Sequence, residues 1–148
     1  MKDYSLLTKQ AKSLLTGESD SIANAANLAA LIYHSFENVN WAGFYFLRGK
    51  QLVLGPFIGQ VACTRIDIGK GVCGTAFQQK KTELVADVHK FEGHIACDVA
   101  SESEIVVPFY TNTLSGVLDI DSPIKGRFGP DEAEIFETLV KIYTSSIT

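Results

Sequence analysis

The stretch that decides the fold is residues 115–121, Ser-Gly-Val-Leu-Asp-Ile-Asp, in which apolar and acidic side chains alternate. Successive side chains of a β-strand point to opposite faces of the sheet, so Leu118 and Ile120 share one face and Asp119 and Asp121 the other. The apolar pair predicts a face that packs against helices. The two carboxylates then lie about 6.5–7 Å apart on the opposite face.

A second predicted strand, residues 40–47, brings aromatic side chains to the same acidic face. Phe44 and Phe46 form one alternating set, and Trp41 and Tyr45 belong to the other. If the two phenylalanines enter the core beneath the helices, the tryptophan and the tyrosine stand beside the carboxylates.

Glu104 opens a further predicted strand, residues 104–110, and is a candidate third carboxylate. Clustered carboxylates repel each other unless a cation lies between them. Hard metal ions bind several oxygen ligands, whereas aromatic rings favour an ammonium group with an organic tail. The alternative is a sheet face left in water with solvated acids, which does not account for Trp41 and Tyr45 on it.

The remaining elements complete an α+β pattern. Helices are predicted where apolar residues recur at helical spacing, over residues 4–15, 20–36 and 72–80 and after Gly129-Pro130. Residues 51–54 are predicted to start a strand that returns from the turn at 48–50, and further strands are predicted over residues 61–66 and 84–86. Ser19 or Asp20 can cap the second helix. The order predicts an antiparallel sheet with helices packed on one face.

Composition limits the class of protein. The chain has 148 residues, 46% of them hydrophobic, which predicts one globular domain over residues 1–148. A net charge of −4 argues against a nucleic-acid-binding surface. No apolar run approaches the ~20 residues that span a bilayer, and the first residues do not resemble a signal peptide. We therefore expect a cytoplasmic protein whose three cysteines are free, catalytic or redox-cycling.

The cysteines are scattered. A zinc site built from Cys63, His94 and Cys97 would lack the paired short spacings of zinc-binding motifs. Cys73 lies at the start of the predicted helix 72–80, where the helix dipole is expected to lower its pKa. The alternative for Cys73 is a small buried residue in a glycine-rich packing segment.

Cys97 lies in a long segment of weak periodicity, residues 87–103, of the kind that often carries function. His94 precedes it by three residues, and either supports a thiolate or braces the loop. Asp98 follows directly and would raise the pKa of the thiol. Local charge therefore leaves the reactivity of Cys97 open.

Seven segments form an ordered set of motifs. They are NWAGFY (40–45), LGPF (54–57), ACTRI (62–66), GKGVCG (69–74), GHIACD (93–98), SESEIVVP (101–108) and GVLDIDSP (116–123). Together they resemble the free methionine-R-sulfoxide reductases, which are single GAF domains. The resemblance implies a GAF fold with a sheet of about six antiparallel strands, N- and C-terminal helices on one face and ligand-covering loops on the other.

The resemblance also implies a reaction, the reduction of free methionine-R-sulfoxide to methionine with electrons from thioredoxin. It makes Cys97 the catalytic cysteine, Cys63 the resolving cysteine that forms a disulfide with it, and Cys73 a third thiol. It implies no metal and no bound cofactor, and members of this family often form homodimers. The substrate-binding residues that it implies are Trp41, Tyr45, Glu104, Asp119 and Asp121.

Two other functions compete with this interpretation. A GAF module can bind a small ligand without catalysis, although the histidine that follows the cysteine of tetrapyrrole-attaching members is replaced here by Asp98. A thiol redox sensor would use the Cys63–Cys97 pair but would not need the carboxylates.

Overall fold

The computed structural model describes residues 2–95 and 100–148. Its elements in chain order are α1 (Ser5–Leu15), α2 (Ser21–Ser35), β1 (Trp41–Arg48), β2 (Gln51–Gly59), β3 (Arg65–Asp67), α3 (Gly71–Gln79), β4 (Glu83–Val85), β5 (Ser103–Tyr110), β6 (Ser115–Ser122) and α4 (Pro130–Ile147). The strands form one antiparallel sheet in the order β3-β2-β1-β6-β5-β4. Within the described ranges, no helix is both long and apolar enough to cross a membrane.

The helical layer covers the face that the alternating pattern predicts. Phe44, Phe46, Leu118 and Ile120 are buried in one cluster with apolar residues of α1, α2 and α4. The cap of α2 is Asp20, whose Oδ1 accepts hydrogen bonds from the backbone N–H groups of the second and third helical residues at 3.0 and 2.8 Å. The predicted α+β architecture is confirmed.

The second face of the sheet is not left in water. Trp41 and Tyr45 belong to a second buried cluster, which also holds Val72, Ala76 and Phe77 of α3. α3 therefore lies over this face and covers its centre. The expectation of a solvated acidic face is wrong, because the glycine-rich helix predicted over residues 72–80 packs on the sheet.

The prediction of a strand over residues 61–66 is wrong for the first four of these residues. β3 begins at Arg65, and residues 61–64 are irregular. Val61 is 84% exposed, and the hydroxyl of Tyr45, on the second face, reaches the backbone of Cys63. The segment therefore runs over the second face instead of extending the sheet, and β2, which starts at Gln51 as predicted, continues to Gly59.

The pairing of β1 with β6 brings the aromatic and acidic residues together. Trp41 lies opposite Asp121, and Gly43 lies opposite Asp119. Gly116, opposite Phe46, allows the strands to approach, since a Cβ added there would lie 2.1 Å from the carbonyl oxygen of Tyr45.

Replacing Gly116 with alanine should therefore lower the free energy of unfolding by about 2 kcal/mol or more, because the backbone of β1 has to move. Urea denaturation measures the change. Gly129→Ala is the matched control, since its added Cβ has no neighbour closer than 3.5 Å. Equal losses in the two variants would contradict the close approach of β1 and β6.

Candidate active site

A cavity opens on the second face, between the sheet, α3 and the loops that follow β2 and precede β5. Its volume, as bounded by the described residues, is about 40 Å³. All five side chains predicted to bind substrate line it: Trp41, Tyr45, Glu104, Asp119 and Asp121. The structure thus brings together residues from β1, β5 and β6.

Three carboxyl groups form the floor of the cavity. Glu104 lies opposite Asp121 across β5 and β6, and Asp119 is two residues before Asp121 on β6. Glu104 and Asp119 are each only 6% exposed. Burial, together with the charges of Asp119 and Asp121, raises the pKa of Glu104 well above its ordinary value. Glu104 is therefore the carboxyl group of this set best suited to hold a proton.

Asp119 has an unmet hydrogen-bonding capacity. Its Oδ2 accepts a hydrogen bond from the Cys73 thiol at 3.3 Å. Its Oδ1 is buried and has no hydrogen-bond partner among the residues that the structure describes. Burial raises the pKa of Asp119, and its interactions with Glu104 and then with Cys73 oppose that shift. A buried carboxylate oxygen without a donor is costly, so this position favours a ligand that brings N–H groups.

The pKa of Cys73 is shifted in the direction opposite to the one predicted. It lies in the first turn of α3, but its pKa is raised well above the ordinary value, chiefly by burial and then by Asp119 and Glu104. The prediction that the helix dipole lowers this pKa is wrong, because desolvation and nearby acids outweigh a helix end. The alternative of a small buried residue is confirmed, since Cys73 is 4% exposed.

Stacked aromatic rings form one wall. The ring centroids of Trp41 and Tyr45 are 6.0 Å apart, and those of Trp41 and Phe57 are 5.2 Å apart, with interplanar angles of 25° and 14°. Gly43 makes room for this stack, because a Cβ there would lie 2.3 Å from the Cβ of Phe57. Phe57 stands behind Trp41 and is not among the residues that line the cavity; it lies in one of the motif segments, but its side-chain direction was not predicted.

The polar atoms of Trp41 and Tyr45 donate hydrogen bonds to the backbone of the segment that contains Cys63. Trp41 Nε1 donates a hydrogen bond to the carbonyl of Gln60 at 3.1 Å, and the Tyr45 hydroxyl donates one to the carbonyl of Cys63 at 2.8 Å. Cys63 is disulfide-bonded, whereas Cys73 is a free thiol. Cys97 and Asp98 lie outside the described residues, so the pairing of Cys63 with Cys97 stays a prediction.

His94 lies at the cavity, three residues before Cys97 in the sequence. Its Nε2 is 3.8 Å from Oε1 of Glu104, and burial lowers its pKa. This places a largely neutral imidazole beside the carboxyl cluster at neutral pH.

Six other lining residues were not predicted from the sequence. Ile66 belongs to β3 and Gly71 and Val72 to α3, whereas Ala62, Ile95 and Ser101 lie in irregular segments where alternation does not indicate a direction. The available signal was their position inside the motif segments.

One set of described side chains has the spacing of metal ligands. Donor atoms of Cys73, Glu104 and Asp119 all lie within 4.8 Å of one another. The thiol, however, keeps its proton and donates a hydrogen bond to Asp119, and an aromatic wall stands beside the set. This combination favours an organic ammonium group, since rings attract such cations and a metal ion needs a thiolate.

Comparison with known proteins agrees with this geometry. Residues 17–145 match the family model of the GAF domain. Protein YtsP of Bacillus subtilis is 58% identical over 130 residues, 86% of this chain and 80% of that protein. The free methionine-R-sulfoxide reductase of Escherichia coli is 48% identical over 138 residues, 93% and 84% of the two chains.

A solved structure of fRMsr of Staphylococcus aureus in complex with substrate superposes with a TM-score of 0.94 at 48% identity, covering 100% of this chain and 97% of that one. These likenesses extend over nearly the whole chain and include the strands and helix that build the cavity. The chain therefore belongs to the GAF-domain family of free methionine-R-sulfoxide reductases.

Proposed function

We propose that this protein reduces free methionine-R-sulfoxide to methionine with its own cysteines, which thioredoxin then reduces. The observation that carries the proposal is the cavity in which buried Glu104 and Asp119, with half-buried Asp121, meet the rings of Trp41 and Tyr45. Acids on one side and rings on the other match an amino acid with an ammonium group and an apolar, sulfur-containing end.

The carboxyl cluster binds the substrate ammonium. Asp119 Oδ1 supplies a buried acceptor, and Asp121, between Glu104 and Trp41 in the strand register, supplies further negative charge. A methionine sulfoxide within a peptide has an amide in place of the ammonium and carries chain on both sides. Such a residue loses the ion pair and meets the cavity wall, so the free amino acid is preferred.

The chemical step transfers oxygen from the substrate to Cys97. The Cys97 thiolate bonds to the sulfoxide sulfur while the sulfoxide oxygen takes up a proton. The resulting hydroxyl then moves to the Cys97 sulfur as the sulfur–sulfur bond and the original sulfur–oxygen bond of the intermediate break. Glu104 is the proposed donor, because its raised pKa favours the protonated carboxyl group that a donor needs. Methionine departs, and Cys97 is left as a sulfenic acid.

A second thiol then completes the cycle. Cys63 condenses with the sulfenic acid, which forms a disulfide and releases water. The disulfide found at Cys63, together with the buried, protonated thiol of Cys73, supports Cys63 as the resolving cysteine and leaves Cys73 as a third, reserve thiol. Thioredoxin reduces the disulfide by exchange, in the cytoplasm where such reductants are found. A homodimer is the assembly that we propose.

The direct test measures methionine formation. The reduced protein should convert free methionine-R-sulfoxide to methionine, and thioredoxin with its reductase should sustain turnover, followed as NADPH oxidation. The S form and peptide-bound methionine sulfoxide should react at least a hundredfold more slowly. Cys97→Ser should abolish methionine formation.

Formation of the disulfide under oxidants without any methionine from the R form would instead identify a thiol redox sensor. Binding of the sulfoxide without any oxidation of the cysteines would identify a ligand-binding module. Either result overturns the proposed reaction.

Glu104 should make the folded protein less stable as the pH rises, which is the reverse of the effect of a glutamate whose pKa is lowered on folding. Its folded-state pKa lies above the ordinary value of 4.5, so the folded protein loses stability relative to the unfolded chain as pH rises above 4.5. Glu104→Gln removes this titration. On going from pH 5 to pH 8, the unfolding free energy should therefore change more favourably in the variant than in wild type, by on the order of 1 kcal/mol. The activity of the variant should fall at least tenfold.

Urea denaturation at the two pH values measures the stability, and single-turnover methionine formation measures the activity. The exposed Glu134 on α4 offers a control, Glu134→Gln, that should change neither quantity appreciably. A Glu104→Gln protein with wild-type activity, or with no gain in stability at the higher pH, would contradict the assignment of Glu104 as a buried proton donor.

A further inference from the structure

The segment between β2 and β3, residues 60–64, is held by side chains of the substrate cavity. The Tyr45 hydroxyl donates to the carbonyl of Cys63 at 2.8 Å, and Trp41 Nε1 donates to the carbonyl of Gln60 at 3.1 Å. At the far end, the backbone N–H of Leu54 donates to the carbonyl of Thr64 at 3.0 Å. Two of the three anchors thus come from aromatic side chains of β1.

The anchor is rigid and the segment that it holds is exposed. Tyr45 is 2% exposed and stacks on Trp41, whereas Val61, two residues before Cys63, is 84% exposed. Burial and the nearby charge of Asp119 raise the pKa of Tyr45 far beyond the working range, so the hydroxyl remains a donor. The hydrogen bond therefore restrains a surface loop from a fixed point in the core.

The restrained conformation is one that suits disulfide formation. Cys63 is disulfide-bonded in the same structure in which its carbonyl accepts the Tyr45 hydrogen bond. A bond to the main chain of the cysteine itself limits rotation of the backbone next to its Cα, and so limits where the sulfur can lie.

We propose that Tyr45 is a positioning residue for the resolving step, in addition to forming the cavity wall. Its hydroxyl holds the Cys63 backbone so that the Cys63 thiol meets the sulfenic acid on the catalytic cysteine. This inference rests on the proposed function. In the step itself the Cys63 sulfur bonds to the sulfenic sulfur, the sulfur–oxygen bond breaks, and water leaves; Tyr45 gives up no proton and forms no covalent bond.

The two roles of Tyr45 can be separated because they use different atoms. The ring lines the cavity, and the hydroxyl binds the loop. Tyr45→Phe keeps the ring and removes the hydroxyl. The reduced protein is mixed with excess methionine-R-sulfoxide without thioredoxin and quenched at intervals, so that methionine, sulfenic acid trapped by dimedone and disulfide are measured in the same sample.

In Tyr45→Phe, the rate of disulfide formation should fall about fivefold relative to the rate of methionine formation, the size of effect expected from one net hydrogen bond. Dimedone-trapped sulfenic acid should rise accordingly. Tyr143→Phe is the matched control, because Tyr143 is equally buried in the helical layer and its hydroxyl donates to the carbonyl of Ser21 at 2.9 Å. The ratio of the two rates should not change in that variant.

An unchanged ratio in Tyr45→Phe would overturn the inference. One form of that result is an equal slowing of methionine formation and disulfide formation, which would assign the hydroxyl to the first step. Hydrogen peroxide generates the sulfenic acid without substrate, and the same fivefold slowing of disulfide formation is expected with it. If methionine never forms but the peroxide experiment shows the slowing, the proposed reaction fails while the positioning role stands.

Discussion

A cluster of three carboxyl groups, two of them buried, on a sheet between two apolar layers is the constraint on which the rest of this structure depends. Glu104 and Asp119 are almost inaccessible, and one oxygen of Asp119 has no donor within the described part of the chain. Such groups are costly without a cation or a proton. Part of the cost is relieved by protonation, since the pKa of Glu104 is raised, and an incoming ammonium would relieve more.

The aromatic wall serves the site in two ways. Trp41 and Tyr45 close the cavity with their rings, and their polar atoms hold the backbone on either side of Val61. The site that binds the sulfoxide and the segment that brings Cys63 are thus joined through two side chains of one strand. Cys73 has a different place: it is buried against Asp119 and protonated, as a donor to the acidic floor.

The faces of the sheet could be predicted from the sequence because side-chain direction in a strand depends only on residue parity. That was sufficient to place Trp41 beside the carboxylates. The burial of that face could not be predicted, because alternation does not say what packs above a strand. The predicted direction of the Cys73 pKa shift was wrong for a related reason. The helix end can be recognised from the residues next to Cys73, whereas Asp119, which opposes ionisation of the thiol, is 46 residues away in the sequence. The composition of residues 61–64 favoured a strand. In the structure these residues form a loop, which hydrogen bonds from Trp41 and Tyr45 hold over the second face.

The charge of the substrate amine tests the central claim most directly. The measurement is kcat/KM for methionine-R-sulfoxide and for the R form of 4-(methylsulfinyl)butanoate, which lacks only the amine. If buried carboxylates bind the ammonium, the second compound should react at least about a hundredfold more slowly, since loss of one partner of a buried ion pair typically costs 3–5 kcal/mol. Values of kcat/KM within threefold of each other would contradict the account.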